Sequence, residues 1–204
     1  MDTKKFHLLL VISYLAVFVW SMINPHDYFT WFLEVLPAVI GLILLFIIYP
    51  TFRFTNLVYV LIFFHAIILT IGGHYTYAEV PLFNWLQEIF NLDRNYYDRL
   101  GHFAQGFVPA MVAREILVRK KIIKNNRWLF FITVCICLSI SALYELIEFA
   151  VALLTGASAE AFLGTQGDVW DTQWDMLFAL LGAISSLLLL QGQQDKTLKS
   201  TLPE

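Results

Sequence analysis

An all-α bundle of six membrane-crossing helices, with both termini cytoplasmic, is the fold class this chain predicts. Three observations predict it. The 204 residues are 59% hydrophobic and only 14% charged, against about 25% charged in an average soluble domain. Six stretches are long and apolar enough, or nearly so, to cross about 30 Å of hydrocarbon as helix. The cations are segregated: eleven of the lysines and arginines fall on the loops and ends of one side, and only Arg94 and Arg99 on the other. The positive-inside rule puts the rich side in the cytoplasm.

The spans follow in order at about 6–23, 31–49, 57–73, 99–118, 128–154 and 174–191, one transmembrane domain over residues 1–204. The first follows Lys4 and Lys5 and ends at Asn24-Pro25. It is too long for a signal-peptide core and lacks a small-x-small cleavage site, so it reads as a retained helix. The second ends at Tyr49-Pro50, because proline cannot continue a helix. Pro37 and Pro109 fall inside spans and predict kinks. Gly72-Gly73 closes the third span and permits a sharp turn or close helix approach. The stretch PLFNWLQEIF at 81–90 predicts a short amphipathic helix along the surface. Trp31, Trp85, Trp128 and Trp174 suit the interface. Cys135 and Cys137 point about 200° apart on a helix and cannot bridge each other. His7 and His26 read as surface residues.

The chemistry gathers at one level. His74, Glu79, Asp98, His102, Glu145, Glu148, Glu160, Asp168, Asp171 and Asp175 lie at or just beyond the outer ends of their spans. Ionisable groups near hydrocarbon are costly and mark function. Asp98 and His102 are i, i+4 and share a helix face. They suit either a divalent ion or an acid/base pair; the plainer reading is a helix cap beside a packing histidine. Glu145 and Glu148 are i, i+3. Glu145 lies 17 residues beyond Trp128, about 26 Å of helix. Like charges there call for a metal, a cation or a proton, or for neutralisation by Arg99. Asp168, Asp171 and Asp175 form one stripe, or a cap followed by a solvated face. His65 lies mid-span and reads as a helix-to-helix hydrogen bond.

The expected catalytic groups are Asp98, His102, Glu145 and Glu148. The expected metal ligands are those four with Asp175, His74, Asp171 and Asp168, and Arg99 would meet a substrate phosphate. Oxygen and imidazole ligands without thiolate suit Mg²⁺, Mn²⁺ or Zn²⁺. Such an ion would act on a lipid-linked or envelope substrate. A proton- or cation-coupled transporter and a non-catalytic membrane scaffold are the other readings. A continuous polar path to the cytoplasm would favour transport; a closed inner half would favour a one-sided site. Membrane lipid is the expected partner. No nucleic-acid motif, P-loop, nucleotide fingerprint or serine elbow appears.

The segments WFLEVLP (31–37), GGHYTYAEVPL (72–82), RNYYDRLGHFAQGFVPA (94–110), LYELIEF (143–149) and GTQGDVWDTQWDM (164–176) resemble the DUF2238 family of bacterial inner membrane proteins, whose reaction is uncharacterised. The resemblance covers nearly the whole chain and implies location and topology. A looser resemblance is to the VanZ-like membrane proteins, linked to glycopeptide antibiotic resistance. Their D-K-x-x-H-F pattern is similar to Asp98–Phe103, with arginine for lysine. Their E-x-x-Q is similar to Glu145–Glu148, with glutamate for glutamine. Their D-x-x-x-N-x-x-G helix has Ala179 here in place of asparagine. This second resemblance implies that Asp98, His102 and Glu145 form a site.

Overall fold

The computed structural model describes residues 3–156 and 160–201. Its helices are α1 (Thr3–Ser21), α2 (Tyr28–Ile48), α3 (Asn56–Tyr75), α4 (Pro81–Phe90), α5 (Tyr97–Arg119), α6 (Asn126–Thr155), α7 (Glu160–Leu163) and α8 (Asp171–Thr201), with a 3₁₀ turn at Tyr77–Glu79. Among the described residues, α1, α2, α3, α6 and α8 are long and apolar enough to cross a membrane. α5, the fourth expected span, is equally long but carries Asp98, Arg99, Arg114, Glu115 and Arg119. It survives as a helix because it is the inside of the bundle, with more than half its residues buried, packed on α3, α6 and most extensively α8.

Successive long helices run in opposite directions. At one end, His7 bonds Tyr49 Oη and Asn56 Oδ1 at 3.0 and 2.9 Å. There too Glu115 accepts from the Thr55 amide and hydroxyl at 2.9 and 2.7 Å, and Arg119 donates to the Arg53 carbonyl at 2.5 Å. His7 is buried, contrary to the surface position expected, because Tyr49, Asn56 and Tyr59 pack against it. At the other end the Ser21 carbonyl meets His74, and Tyr97 packs on Tyr77. We call these the basic and the acidic end.

Local chemistry explains several boundaries. Asp27 caps α2, accepting from the Thr30 amide at 2.7 Å, and that bond holds its carboxyl below the usual value. Pro81 opens α4 at a position that needs no amide donor. α8 runs ten residues past the expected end, because Gln194 is fully buried there. It accepts from Arg114 at 2.8 Å and donates to the Met111 carbonyl at 2.9 Å. The surface helix expected at 81–90 is present as α4, with Leu82, Trp85, Ile89 and Phe90 each more than half exposed.

The α5–α8 contact is backbone on backbone. A methyl group at Gly106 would meet the Ala179 carbonyl, and one at Gly182 would meet the Phe103 carbonyl. Below this seam Ala110, Met111, Cys137, Ala183 and Leu187 form an apolar core with Phe54, Val58 and Tyr59.

Gly106→Ala must push the two helices apart, costing about 1–3 kcal/mol. Gly192→Ala, where an added methyl meets nothing, gains up to about 1 kcal/mol. Melting curves in detergent should therefore move in opposite directions. Asp27→Ala should cost about 1 kcal/mol at neutral pH. Because the folded carboxyl titrates low, that contribution is present above the unfolded value near about 3.9 and is lost as pH falls through the folded value. Melting of wild type and variant should converge in acid.

Candidate functional site

Position 94 precedes α5, and Asp98, Arg99 and His102 fill its first turns, all facing inward. α8 opens with Asp171 and Asp175, one turn apart on its buried side. The antiparallel packing of the two helices brings these groups together. Arg94 donates to Asp171 Oδ1 at 2.7 Å, to the Gly164 carbonyl at 3.1 Å, and to Asp98 and Asp168 at 3.5 Å. Arg99 donates to Asp171 Oδ1 at 2.6 Å, Asp98 Oδ2 at 3.1 Å, Asp168 Oδ2 at 3.4 Å, and Asp175 Oδ1. Both arginines are thus surrounded by carboxylates. A phosphate reaching Arg99 would have to displace them.

His102 stands at the boundary between this knot and a second group. Its Nε2 lies 3.4 Å from Asp98 Oδ1 and 3.6 Å from Asp175 Oδ1. Its Nδ1 lies 3.0 Å from Gln105 Oε1 and 3.7 Å from Glu145 Oε1. Two triads have donor atoms within 4.8 Å of one another: Asp98, His102 and Asp175, and His102, Glu145 and Glu148. All five residues are 2–8% exposed. Asp98 is therefore no helix cap; its carboxylate is shared between Arg99 and His102. Asp168 accepts from the Trp170 amide at 2.9 Å, in the turn before α8, while facing the arginines.

The glutamate side contains no arginine. Glu145 Oε1 is buried without a hydrogen-bond partner. Glu34 of α2, in the segment WFLEVLP, is also buried and accepts from Tyr144 Oη at 3.3 Å. It lies in electrostatic range of Asp98, His102 and Glu148. Sequence reasoning missed Glu34; a lone glutamate in an apolar span was the available signal. It also treated Arg94 only as an outer cation. Tyr77, outside the spans, is wedged against Gly72 and Gly101, and burial among the carboxylates pushes its phenol well up.

Other expected participants lie elsewhere. His74 Nδ1 is 3.0 Å from the Ser21 carbonyl, and its ring packs tilted against Trp20 at 4.3 Å, outside both triads. Glu79 accepts from Asn84 at 3.2 Å. The Glu160 side chain lies outside the described residues. His65 does not make the expected interhelix bond through Nε2, which is buried without a partner.

The charges do not balance. Seven carboxyl groups (Glu34, Asp98, Glu145, Glu148, Asp168, Asp171 and Asp175) face two guanidinium groups and one imidazole. Uncompensated buried carboxylates are costly, so protons or a cation must make up the difference.

Comparison with known proteins places this site in context. The family model described as "Predicted membrane protein (DUF2238)" matches residues 6–196. The chain is similar to the inner membrane protein YjdF of Escherichia coli K12, 51% identical over 174 residues, which is 85% of this chain and 83% of the relative. No solved structure matches.

Arg99→Gln removes a cation from four carboxylates. It should cost about 3–5 kcal/mol, the usual cost of leaving buried charge uncompensated. A large fall in the detergent melting temperature is expected; wild-type melting would show that the knot contributes no stability.

Proposed function

The chain belongs to the DUF2238 family of predicted membrane proteins, and from that premise we propose that it crosses a bacterial inner membrane six times and binds a divalent cation at the periplasmic end of its bundle. Five crossings are α1, α2, α3, α6 and α8. α5 is the sixth, since it runs the full length of α3 in the opposite direction, its charges covered by neighbours. The basic end, with eleven of the thirteen lysines and arginines, faces the cytoplasm with both termini.

One observation carries the cation reading. His102, Glu145 and Glu148 bring three buried ligand atoms within 4.8 Å of one another, on the side of the cluster that has no arginine, and Glu145 Oε1 has no hydrogen-bond partner. Asp98 and Asp175 face the other ring nitrogen. A carboxylate on the far nitrogen of a metal-bound histidine orients the ring and raises its basicity. Gln105 would be displaced from Nδ1. One imidazole with carboxylates suits Mn²⁺ or Zn²⁺, and Mg²⁺ less well. The VanZ-like likeness at Asp98–Phe103 and Glu145–Glu148 adds weight to the same residues.

An apolar core lies beneath the α5–α8 seam, between the cluster and the basic end. That favours a one-sided site over a polar path for transport. α4 turns an apolar face outward and is tied to the loop before α5, where Asn95 donates to Asn84 at 2.6 Å and to the Val80 carbonyl at 3.2 Å. An interfacial helix beside the cluster supports a lipid-linked or envelope substrate, on which the ion would polarise an oxygen or activate water.

Elemental analysis of purified protein tests the cation. Wild type should carry close to one equivalent of Mn²⁺ or Zn²⁺ after loading and desalting. Glu145→Gln/Glu148→Gln should lose it while melting at or above wild type, because it removes two uncompensated carboxyl groups from the side that has no arginine. Equal metal in both proteins, or none in either, would overturn the reading.

A further inference from the structure

α4 packs extensively on no other helix, and none of its residues is buried. Leu82, Trp85, Ile89 and Phe90 are 55–66% exposed. Leu82, Trp85 and Ile89 fall at i, i+3 and i+7, one apolar stripe along the helix. The other side is held to the bundle, where Phe83 packs edge-on against Tyr97 at 5.2 Å. The turn before α8 exposes a second apolar pair, with Val169 84% and Trp170 63% exposed. Contiguous exposed apolar surface of this kind marks an interaction or membrane site.

Asn95 ties the two elements together. Its side chain bonds Asn84 and the Val80 carbonyl on the α4 side. Its amide donates to Gln166 Oε1, and its carbonyl accepts from Gln166 Nε2, both at 2.9 Å. Asn95 is fully buried, so α4 and the turn before α8 are both fixed to the start of α5.

Charge selects what covers this surface. Glu79, Glu88 and Asp93 are exposed on and beside α4. Asn84 and Tyr96 bond Glu79 and Asp93 without neutralising them. The neighbouring cation, Arg94, already belongs to the aspartate knot. A second copy of the chain would bring like carboxylates together, because a two-fold contact matches a surface with itself. Anionic headgroups would be repelled too. A neutral lipid interface takes up the apolar stripe, leaves the carboxylates in water and is the depth that tryptophan favours.

We propose that the outer stripe of α4 and the Val169–Trp170 tip form one membrane-seated surface, inserted into zwitterionic phospholipid of the leaflet at the acidic end. Arg94 adjoins Asn95 in the chain, so the seat also holds the arginine knot at headgroup level. The proposal rests on the bundle crossing the membrane and not on the cation site.

Spin labels test this on the full-length chain carrying Cys135→Ala and Cys137→Ala, reconstituted into phosphatidylcholine vesicles. Labels at Leu82→Cys, Ile89→Cys and Val169→Cys should collide several-fold more with oxygen, which partitions into lipid, than with an aqueous nickel chelate. The label at Glu88→Cys should show the reverse. Adding phosphatidylglycerol to the vesicles should leave the three labels at the same depth or shallower. Nickel-accessible labels at 82 and 89 would overturn the proposal. Labels shielded from both reagents would overturn it too, because they mark a protein partner or a second copy. An aqueous label at 169 beside inserted ones at 82 and 89 would overturn the single surface, and insertion that requires phosphatidylglycerol would overturn the choice of lipid.

Discussion

Two arginines hold four aspartates at the acidic end, and much of the architecture follows from the need to keep them together. Arg94 and Arg99 are 6% and 4% exposed, so neither has water to satisfy it. Their partners come from the start of α5, the loop before α8 and the first turns of α8. A buried ion cluster of this kind is stable only if every member has its geometry and hydrogen bonds. That requirement ties two helix ends separated by some seventy residues of chain, and it explains why the most charged helix, α5, is the innermost one.

Close approach makes the arrangement possible. Gly106 and Gly182 each leave room for the facing helix's backbone carbonyl. In a membrane, where lipid tails are as apolar as leucine, such contact is a main source of helix association. The seam lies directly beneath His102. It fixes how deep the cluster sits and separates it from the apolar core around Met111 and Leu187. Arginines satisfy the aspartates on one side of His102; the glutamates on the other side have none. That asymmetry, rather than the number of acidic groups, is what the proposed cation site rests on.

A good part of this was legible in the chain. Apolar length and the prolines placed the ends of α1 and α2 to within a few residues, α3 runs two residues beyond the Gly72-Gly73 end expected, and alternation of direction brought Asp98, His102, Glu145, Glu148 and Asp175 to one level. The amphipathic stretch gave α4. Other features were not legible. Pairing of Arg94 with Asp171 depends on the relative rotation of α5 and α8, which periodicity alone leaves open. His74 has the right height but faces α1, because the helical phase of α3 turns it toward Ser21. His7 looked like a surface residue until the ends of α2 and α3 closed over it. The polar extension of α8 looked like a tail, because the burial of Gln194 comes from Arg114 and Met111, not from its own neighbours.

The central claim is that His102 and its glutamates hold a cation. Pulsed electron paramagnetic resonance on the Mn²⁺-loaded protein addresses it most directly, because it identifies the ligand atoms themselves. The account predicts modulation from one imidazole nitrogen, retained in His74→Ala and abolished in His102→Ala. A spectrum of fully hydrated Mn²⁺, or nitrogen coupling that survives His102→Ala, would contradict it.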